Sequence, residues 1–326
     1  MNILWIKDGK KGHEKQVAVL LEELNKSVDL KIFEERVVIG KLNKILFFID
    51  YVSSYLYGFF KNDYSLISGL TSIQSKTFEE KKFDIVIGAG SGPHIQMLKY
   101  KKEFDVKIIG VLTPSFFKKK YDLICSPAHD DNKYRSKKNV IFFNGSLAKV
   151  SDKDPIANIG FIGIGGENKH YVFNQKKISQ QIEYVASIYA DINWEIFPSR
   201  RTPIEMIKNL NDLMLKYDNI KICSKNIDKT IKNASIKVVT QDSVNMVFEC
   251  LSTKGKTYLF NMKYKKKNKV VNLMLGLLEN KQIGYIEYSQ MVDGLQKMKM
   301  ISSNKHYDVF AEVEKVAYQI LKKISK

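Results

Sequence analysis

The order strand, glycine-bearing turn, helix opens each half of the chain, and no other feature limits the fold so strongly. Asn2 to Ile6 is an apolar run that leads into Lys7-Asp8-Gly9-Lys10-Lys11-Gly12-His13. Beyond it Val17, Leu20, Leu21 and Leu24 recur at helical spacing, which predicts a helix from about Glu14 to Asn25. The second half begins the same way, with Ile159 to Gly163 as strand, Gly165-Gly166 in the turn and a helix over Ile178 to Tyr189. Such units build parallel sheets covered by helices, whose ligands gather at the carboxyl ends of the strands. The expected class is therefore α/β. A length of 326 residues suits two domains, and the polar stretch Ser151 to Pro155 sets their boundary, giving 1–150 and 151–326.

The remaining strands of the first half are expected at Val28 to Glu34, Phe83 to Gly88, Val106 to Leu112, Tyr121 to Cys125 and Asn139 to Phe143. Gly88, Gly90 and Gly92 precede Pro93, so backbone amides stand at a helix start, which suits an anion or simply a tight turn. In the second half Trp194 to Phe197, Ile220 to Cys223 and Ile236 to Val239 read as strands, and Ile204 to Met214 as a helix. After Thr240-Gln241-Asp242-Ser243, the residues Val244, Val247, Phe248 and Leu251 form one inward stripe, with Asp242 or Ser243 placed to cap the helix. Tyr307 to Ile324 reads as an amphipathic helix that packs back on the first domain.

The formal net charge of +18 favours phosphate groups or an anionic membrane surface as partners. Nucleic acid is not favoured, because no zinc-finger spacing, helix-turn-helix or aromatic-interleaved basic motif accompanies the charge. Cys125, Cys223 and Cys250 lack metal-ligand spacing and read as reduced core residues. The apolar run at the N-terminus is too short for a signal peptide, so a cytoplasmic protein is expected. Residues 42–60 are the most apolar stretch, interrupted by Lys44 and Asp50; a buried helix is the first reading and an interfacial helix on a membrane the second.

Four arginines stand against 49 lysines, and two of them, Arg200 and Arg201, lie side by side at a strand exit. Arginine offers a planar fork for phosphate or carboxylate that lysine lacks. Thr202 is expected as N-cap and Pro203 as first helical residue. Glu249 falls about 9 Å along the helix from Ser243, a span that fits a diphosphate at the helix start and a ribose below it. His13 stands at the carboxyl edge of the first strand as candidate general base, with Asp8 as orienter or as the base itself; His129 with Asp130 is the second choice. His170 and His306 are expected on the surface.

Trp5, Asp8-Gly9-Lys10 with Gly12-His13 and Gln16, the Pro127-Ala128-His129-Asp130 turn, Asn139-Val140 with Asn144-Gly145, Ile164-Gly165-Gly166, Ser199-Arg200-Arg201-Thr202-Pro203, and Asp242-Ser243-Val244-Asn245-Met246 with Glu249 and Gly255-Lys256 recur together. As a set they resemble the family named for a plant mitochondrial-fission (elongated-mitochondria, ELM-type) protein, whose bacterial members are regarded as glycosyltransferases. The resemblance implies a GT-B fold, with two Rossmann-like domains facing each other across a cleft. It implies transfer of a sugar from a nucleoside-diphosphate donor, held by the second domain, to an envelope glycan or lipid-linked acceptor held by the first. No cofactor or metal is implied beyond that co-substrate. Gly165, Gly166, Ser199, Arg200, Arg201, Thr202, Asp242, Ser243, Met246 and Glu249 would hold the donor, with the cations and helix start stabilising the leaving diphosphate. Two departures weaken direct phosphate contact: Glu167 follows the glycines, and Asp242 competes for the same amides. A nucleotide-sugar epimerase of the same fold and a non-catalytic protein that docks on membranes or partners are the alternatives. The enzyme would sit on the inner face of the cytoplasmic membrane as a peripheral protein.

Overall fold

The structure, a computed structural model, describes residues 1–37, 52, 56, 82–114, 117–130, 138–288, 297–303 and 309–324. All of 42–60 except Val52 and Leu56 lies outside the described residues, as does His306. The chain forms two compact units, one of Met1–Leu147 with Glu312–Lys326 and the other of Ala148–Ala311.

In the first unit β1 (Asn2–Lys7), α1 (Lys11–Asn25), β2 (Lys31–Arg36), β3 (Ile85–Ala89), α2 (His94–Phe104), β4 (Lys107–Val111), β5 (Leu123–Pro127) and β6 (Val140–Phe143) follow in chain order. The sheet runs β2-β1-β3-β4-β5-β6 and every pairing is parallel. All five residues of β3 are buried, as both faces of a parallel sheet demand. Val17, Leu20, Leu21 and Leu24 press α1 onto that core. The second strand starts later than Val28 because the end of α1 consumes the intervening residues. Ser27 and Val28 amides bond back to the Leu24 carbonyl, and the Leu30 amide donates to Asn25 Oδ1 at 2.9 Å.

The second unit contains β7 (Ile156–Ile164), α3 (Gln175–Ile188), β8 (Asn193–Pro198), α4 (Ile204–Lys216), β9 (Ile220–Ile222), α5 (Ile227–Asn233), β10 (Ala234–Val239), α6 (Val244–Leu251), β11 (Lys256–Leu259), α7 (Lys269–Glu279), β12 (Gly284–Tyr288) and β13 (Met298–Ile301). Its sheet runs β13-β12-β11-β10-β7-β8-β9, parallel except where β13 pairs with β12. Fully buried Phe161, Trp194, Phe248 and Tyr258 anchor its core. Sequence patterning missed α5, α7 and the β12–β13 pair. The start of α7 is hidden among lysines 263–269, where Asn268 is the working signal: its side chain accepts from the Val270 and Val271 amides.

After the second unit the chain returns to the first as α8 (Glu312–Ile324). Val313, Val316, Ala317 and Ile320 are buried, Glu312 accepts the Asn144 amide at 2.7 Å, and Lys107 Nζ donates to the Ile324 carbonyl at 3.0 Å. No helix among the described residues is long and apolar enough to cross a membrane.

Candidate functional site

Strand order reverses once in each sheet, between β1 and β3 in the first unit and between β7 and β10 in the second. Helices leave such a switch point in opposite directions and open a crevice at the carboxyl ends of the strands. Both switch points carry polar clusters.

In the second unit, the Gly165 amide donates to Thr240 Oγ1 at 2.7 Å and the Gly166 amide to Asp242 Oδ2 at 3.1 Å. Arg201 Nη2 closes on the same Asp242 oxygen at 2.8 Å, and the aspartate side chain is completely buried. A Cβ on Gly165 would stand 2.1 Å from Asp242 Oδ2, and one on Gly166 would stand 1.9 Å from the Arg201 carbonyl oxygen. Only glycine permits this approach. Ser199 Oγ donates to the Gly165 carbonyl at 2.9 Å, and the Ser199 amide donates to Thr202 Oγ1 at 2.8 Å. The loop after β7 is braced on its far side by Asn168, whose Oδ1 accepts the His170 amide at 2.6 Å and the Tyr171 amide at 2.9 Å.

This geometry corrects several expectations. Asp242 does not cap α6: Ser243 is the N-cap and makes no side-chain cap bond, while Asp242 spends its carboxylate on Gly166 and Arg201. Thr202 does not cap α4; Pro203 is the N-cap, and Thr202 Oγ1 reaches back to the carbonyls of Ile164 and Gly165. Met246 faces the core, 9% exposed, with its sulfur against Gly163. The Gly165 and Gly166 amides already have internal acceptors, so a bound phosphate would have to displace them. Arg200 is exposed and has no hydrogen bond or ion pair among the described residues. Glu249 is half-buried on α6. His170 is half-buried rather than a surface residue; burial, ahead of the Lys169 charge, lowers its pKa.

In the first unit, His13 Nδ1 and Asp8 Oδ2 are 2.8 Å apart, with the aspartate side chain 3% exposed. Asp8 Oδ1 accepts the Lys10 amide at 3.1 Å. Burial opposes ionisation of Asp8, but the His13 hydrogen bond, the Lys10 amide and the charges of both residues outweigh it and hold its carboxyl below the ordinary range. His13 Nε2 has no hydrogen-bond partner among the described residues. The loop after β3 closes on this pair: a Cβ on Gly90 would meet the His13 ring at 2.4 Å, and one on Gly92 would meet Asp8 Cβ at 2.8 Å. The glycines there serve close packing. His94, which sequence reasoning passed over, is 1% exposed beside them, and burial, against the pull of the Asp8 charge, brings its pKa down to about 4. His129 Nε2 stands 3.8 Å from Asp130 Oδ1, beyond hydrogen-bond reach, so this second pair lacks the fixed geometry of the first. Asp130 instead accepts from Thr113 Oγ1 at 3.4 Å, and Thr113 meets Ser126 at 2.6 Å.

Two further residues went unread in the sequence. Thr240 carried a usable signal, a hydroxyl at a strand exit beside a glycine turn; Asn168 carried another, an Asx-type residue just after the glycines.

A family model described as Mitochondrial fission ELM1 matches residues 11–324. The chain belongs to this family. No curated protein matches the ELM1-family chain by sequence. Among solved structures it is similar to the UDP-GlcNAc 2-epimerase from Neisseria meningitidis bound to UDP-GlcNAc, at 9% identity over 100% of both chains, with a TM-score of 0.57. It is also similar to the S. aureus MnaA–UDP co-structure, at 12% identity over 99% of this chain and 89% of that one, with a TM-score of 0.52. The calicheamicin glycosyltransferase CalG4 aligns less well, at 8% identity over 99% of this chain and 94% of that one, with a TM-score of 0.48. The fold of this ELM1-family member is the GT-B type, with two Rossmann-like units.

Proposed function

We propose that this chain is a glycosyltransferase that moves a sugar from a nucleoside-diphosphate donor to a glycan or lipid-linked acceptor. The observation that carries the reading is that each unit keeps an unspent group near its switch point: Arg200, exposed in the loop braced against Gly165 in the second, and the imidazole of His13 in the first. Arg200, Ser243 and the amides at the start of α6 bind the diphosphate, and Glu249 accepts the ribose hydroxyls. Arg201 and Asp242 build the loop that presents them. In the first unit Asp8 holds the His13 Nδ1 proton, which leaves Nε2 as the acceptor of a proton. For an inverting transfer, Nε2 takes the proton of the acceptor hydroxyl, the oxygen attacks the anomeric carbon, and the bond from that carbon to the diphosphate oxygen breaks. The electron pair leaves with the nucleoside diphosphate, whose charge the cation and helix start stabilise.

A second reading is a nucleotide-sugar epimerase, favoured because solved structures similar to this chain with TM-scores above 0.5 include ones described as UDP-GlcNAc 2-epimerases and a MnaA–UDP complex. Incubation with UDP-GlcNAc alone, followed by product analysis, separates the two. Epimerised sugar nucleotide without acceptor supports the epimerase; unchanged donor that is consumed only with membrane extract supports the transferase. Failure of calorimetry to detect UDP, or any other nucleoside diphosphate, removes both. Peripheral attachment to an anionic membrane surface belongs to the same proposal. Loss of binding to vesicles containing phosphatidylglycerol when Phe47, Phe48, Phe59 and Phe60 become serine supports it; undiminished binding rejects it.

A further inference from the structure

One buried cation plays no part in the chemistry above. Lys237 lies in β10, beside the switch point of the second unit, and is 0% exposed. Phe161 of β7 and Thr257 of β11 flank it across the sheet. No carboxylate pairs with it among the described residues. Its Nζ donates to the carbonyl oxygens of Cys250 (2.7 Å), Thr253 (3.0 Å) and Lys254 (2.7 Å), and to Thr253 Oγ1 (2.7 Å).

These oxygens belong to the end of α6 and the turn after it. A helix end leaves carbonyls without intrahelical partners and gathers partial negative charge. A neutral amide side chain has two N–H donors for them; only an ammonium brings three donors and a charge to a single point. Burial lowers the Lys237 pKa to about 8, which still leaves it protonated at neutral pH. Lone buried ammonium groups are costly, so a stretch that retains one uses its geometry. α6 has eight residues and is thus about 12 Å long. A swing of roughly 10° at one end displaces the other by about 2 Å, enough to spoil a preorganised phosphate contact.

We infer that Lys237 is a positioning residue of the donor site: a built-in monovalent cation that clamps the C-terminal end of α6 and so fixes Ser243 and Glu249 for a nucleoside diphosphate. The positioning role rests on the donor-site reading given above; the cation clamp itself does not. The test uses the full chain with Lys237→Met, which keeps most of the volume and loses the charge, and Lys237→Ala, which also leaves a hole. In Lys237→Met without ligand, amide exchange at Asn245, Met246 and Val247 is expected to quicken about tenfold, and UDP affinity measured by calorimetry to fall about tenfold. In Lys237→Ala, ammonium chloride is expected to raise the melting temperature and restore UDP affinity, while choline chloride at equal ionic strength does neither. Recovery of folded Lys237→Ala only in ammonium buffer counts for the clamp. A merely structural lysine would lower the melting temperature alone. Folded Lys237→Met with unchanged exchange at residues 245–247 and unchanged UDP affinity overturns the positioning role, and a Lys237→Ala indifferent to ammonium overturns the cation clamp. If the unmodified protein binds no nucleoside diphosphate, the donor-site reading falls by itself, and the exchange and ammonium measurements still decide the role of Lys237.

Discussion

The two switch points use their polar groups in opposite ways. In the second unit Gly165, Gly166, Ser199, Arg201, Thr202, Thr240 and Asp242 bond to one another, all through Oδ2 at the aspartate, and the buried Asp242 carboxylate sits where an anion from outside would otherwise be welcomed. In the first unit the network is short: a buried carboxylate, one imidazole, and a ring nitrogen left over. A network that buries its polar atoms against its own loop holds a shape, and a short one with a ring nitrogen to spare can do chemistry. On the proposed reading, function belongs to the fringe of the second cluster, in Arg200 and the start of α6, and to the centre of the first.

The sharpest way to break the contrast is His13→Ala. Loss of a general base is expected to lower turnover by about 10²- to 10⁴-fold, far more than the accompanying fall in melting temperature from leaving buried Asp8 without its imidazole explains, and Asp8→Asn is expected to lower turnover through the wrong tautomer. Steady-state rates on whichever substrate is found check this; retained turnover would make the dyad a structural pair. Next comes Asp242→Ala, which strands Arg201 and the Gly166 amide around an emptied, buried spot. Urea unfolding is expected to show a loss of about 1 to 3 kcal/mol, the cost of an unpaired buried amide, because the half-exposed Arg201 left behind can be hydrated. An unchanged midpoint would mean that the second cluster is not a scaffold.

Acid separates the units more gently. His94 has a folded pKa of about 4 against an ordinary 6.5, so between these values the unfolded chain binds more protons and stability falls as pH falls. The full window is worth about 3 kcal/mol. Asp8, held below the ordinary carboxylate range, adds stability that is present above the unfolded value and is lost only at still lower pH. Unfolding of His94→Phe followed from pH 7 to pH 4 should therefore lose most of its slope; an undiminished slope would place the acid sensitivity elsewhere. The smallest expected effect sharpens the division between the arginines. Arg200→Ala should weaken UDP binding about tenfold with stability changed by less than about 0.5 kcal/mol, and Arg201→Ala should do the reverse.

Sequence patterning exposed the strand and glycine-turn framework because period and turn chemistry are local. It also brought Asp8 and His13 together, since a strand exit and the following helix start are close in any such unit. The failures share a cause. Asp242, Thr202 and Met246 each had a sound local reading, as cap, cap and ligand contact, and each is claimed by a partner distant in sequence: Gly166, Gly165 and Gly163. Lys237 stood in plain view inside an apolar strand, but its acceptors lie 13 to 17 residues further along the chain. Local rules rank what a residue can do next to its neighbours; burial against a remote loop decides among those options.

The return of α8 to the first unit bears on the order in which the protein is made. Residues 148–311 are contiguous and can assemble as soon as they leave the ribosome. The first unit waits, because the helix that shields α1 and β6 emerges after the whole second unit. A nascent chain interrupted before residue 312 would therefore carry a finished second unit and a first unit with open apolar surface, a species for chaperones to hold. Shortening the chain at that point should cripple the unit that was synthesised first.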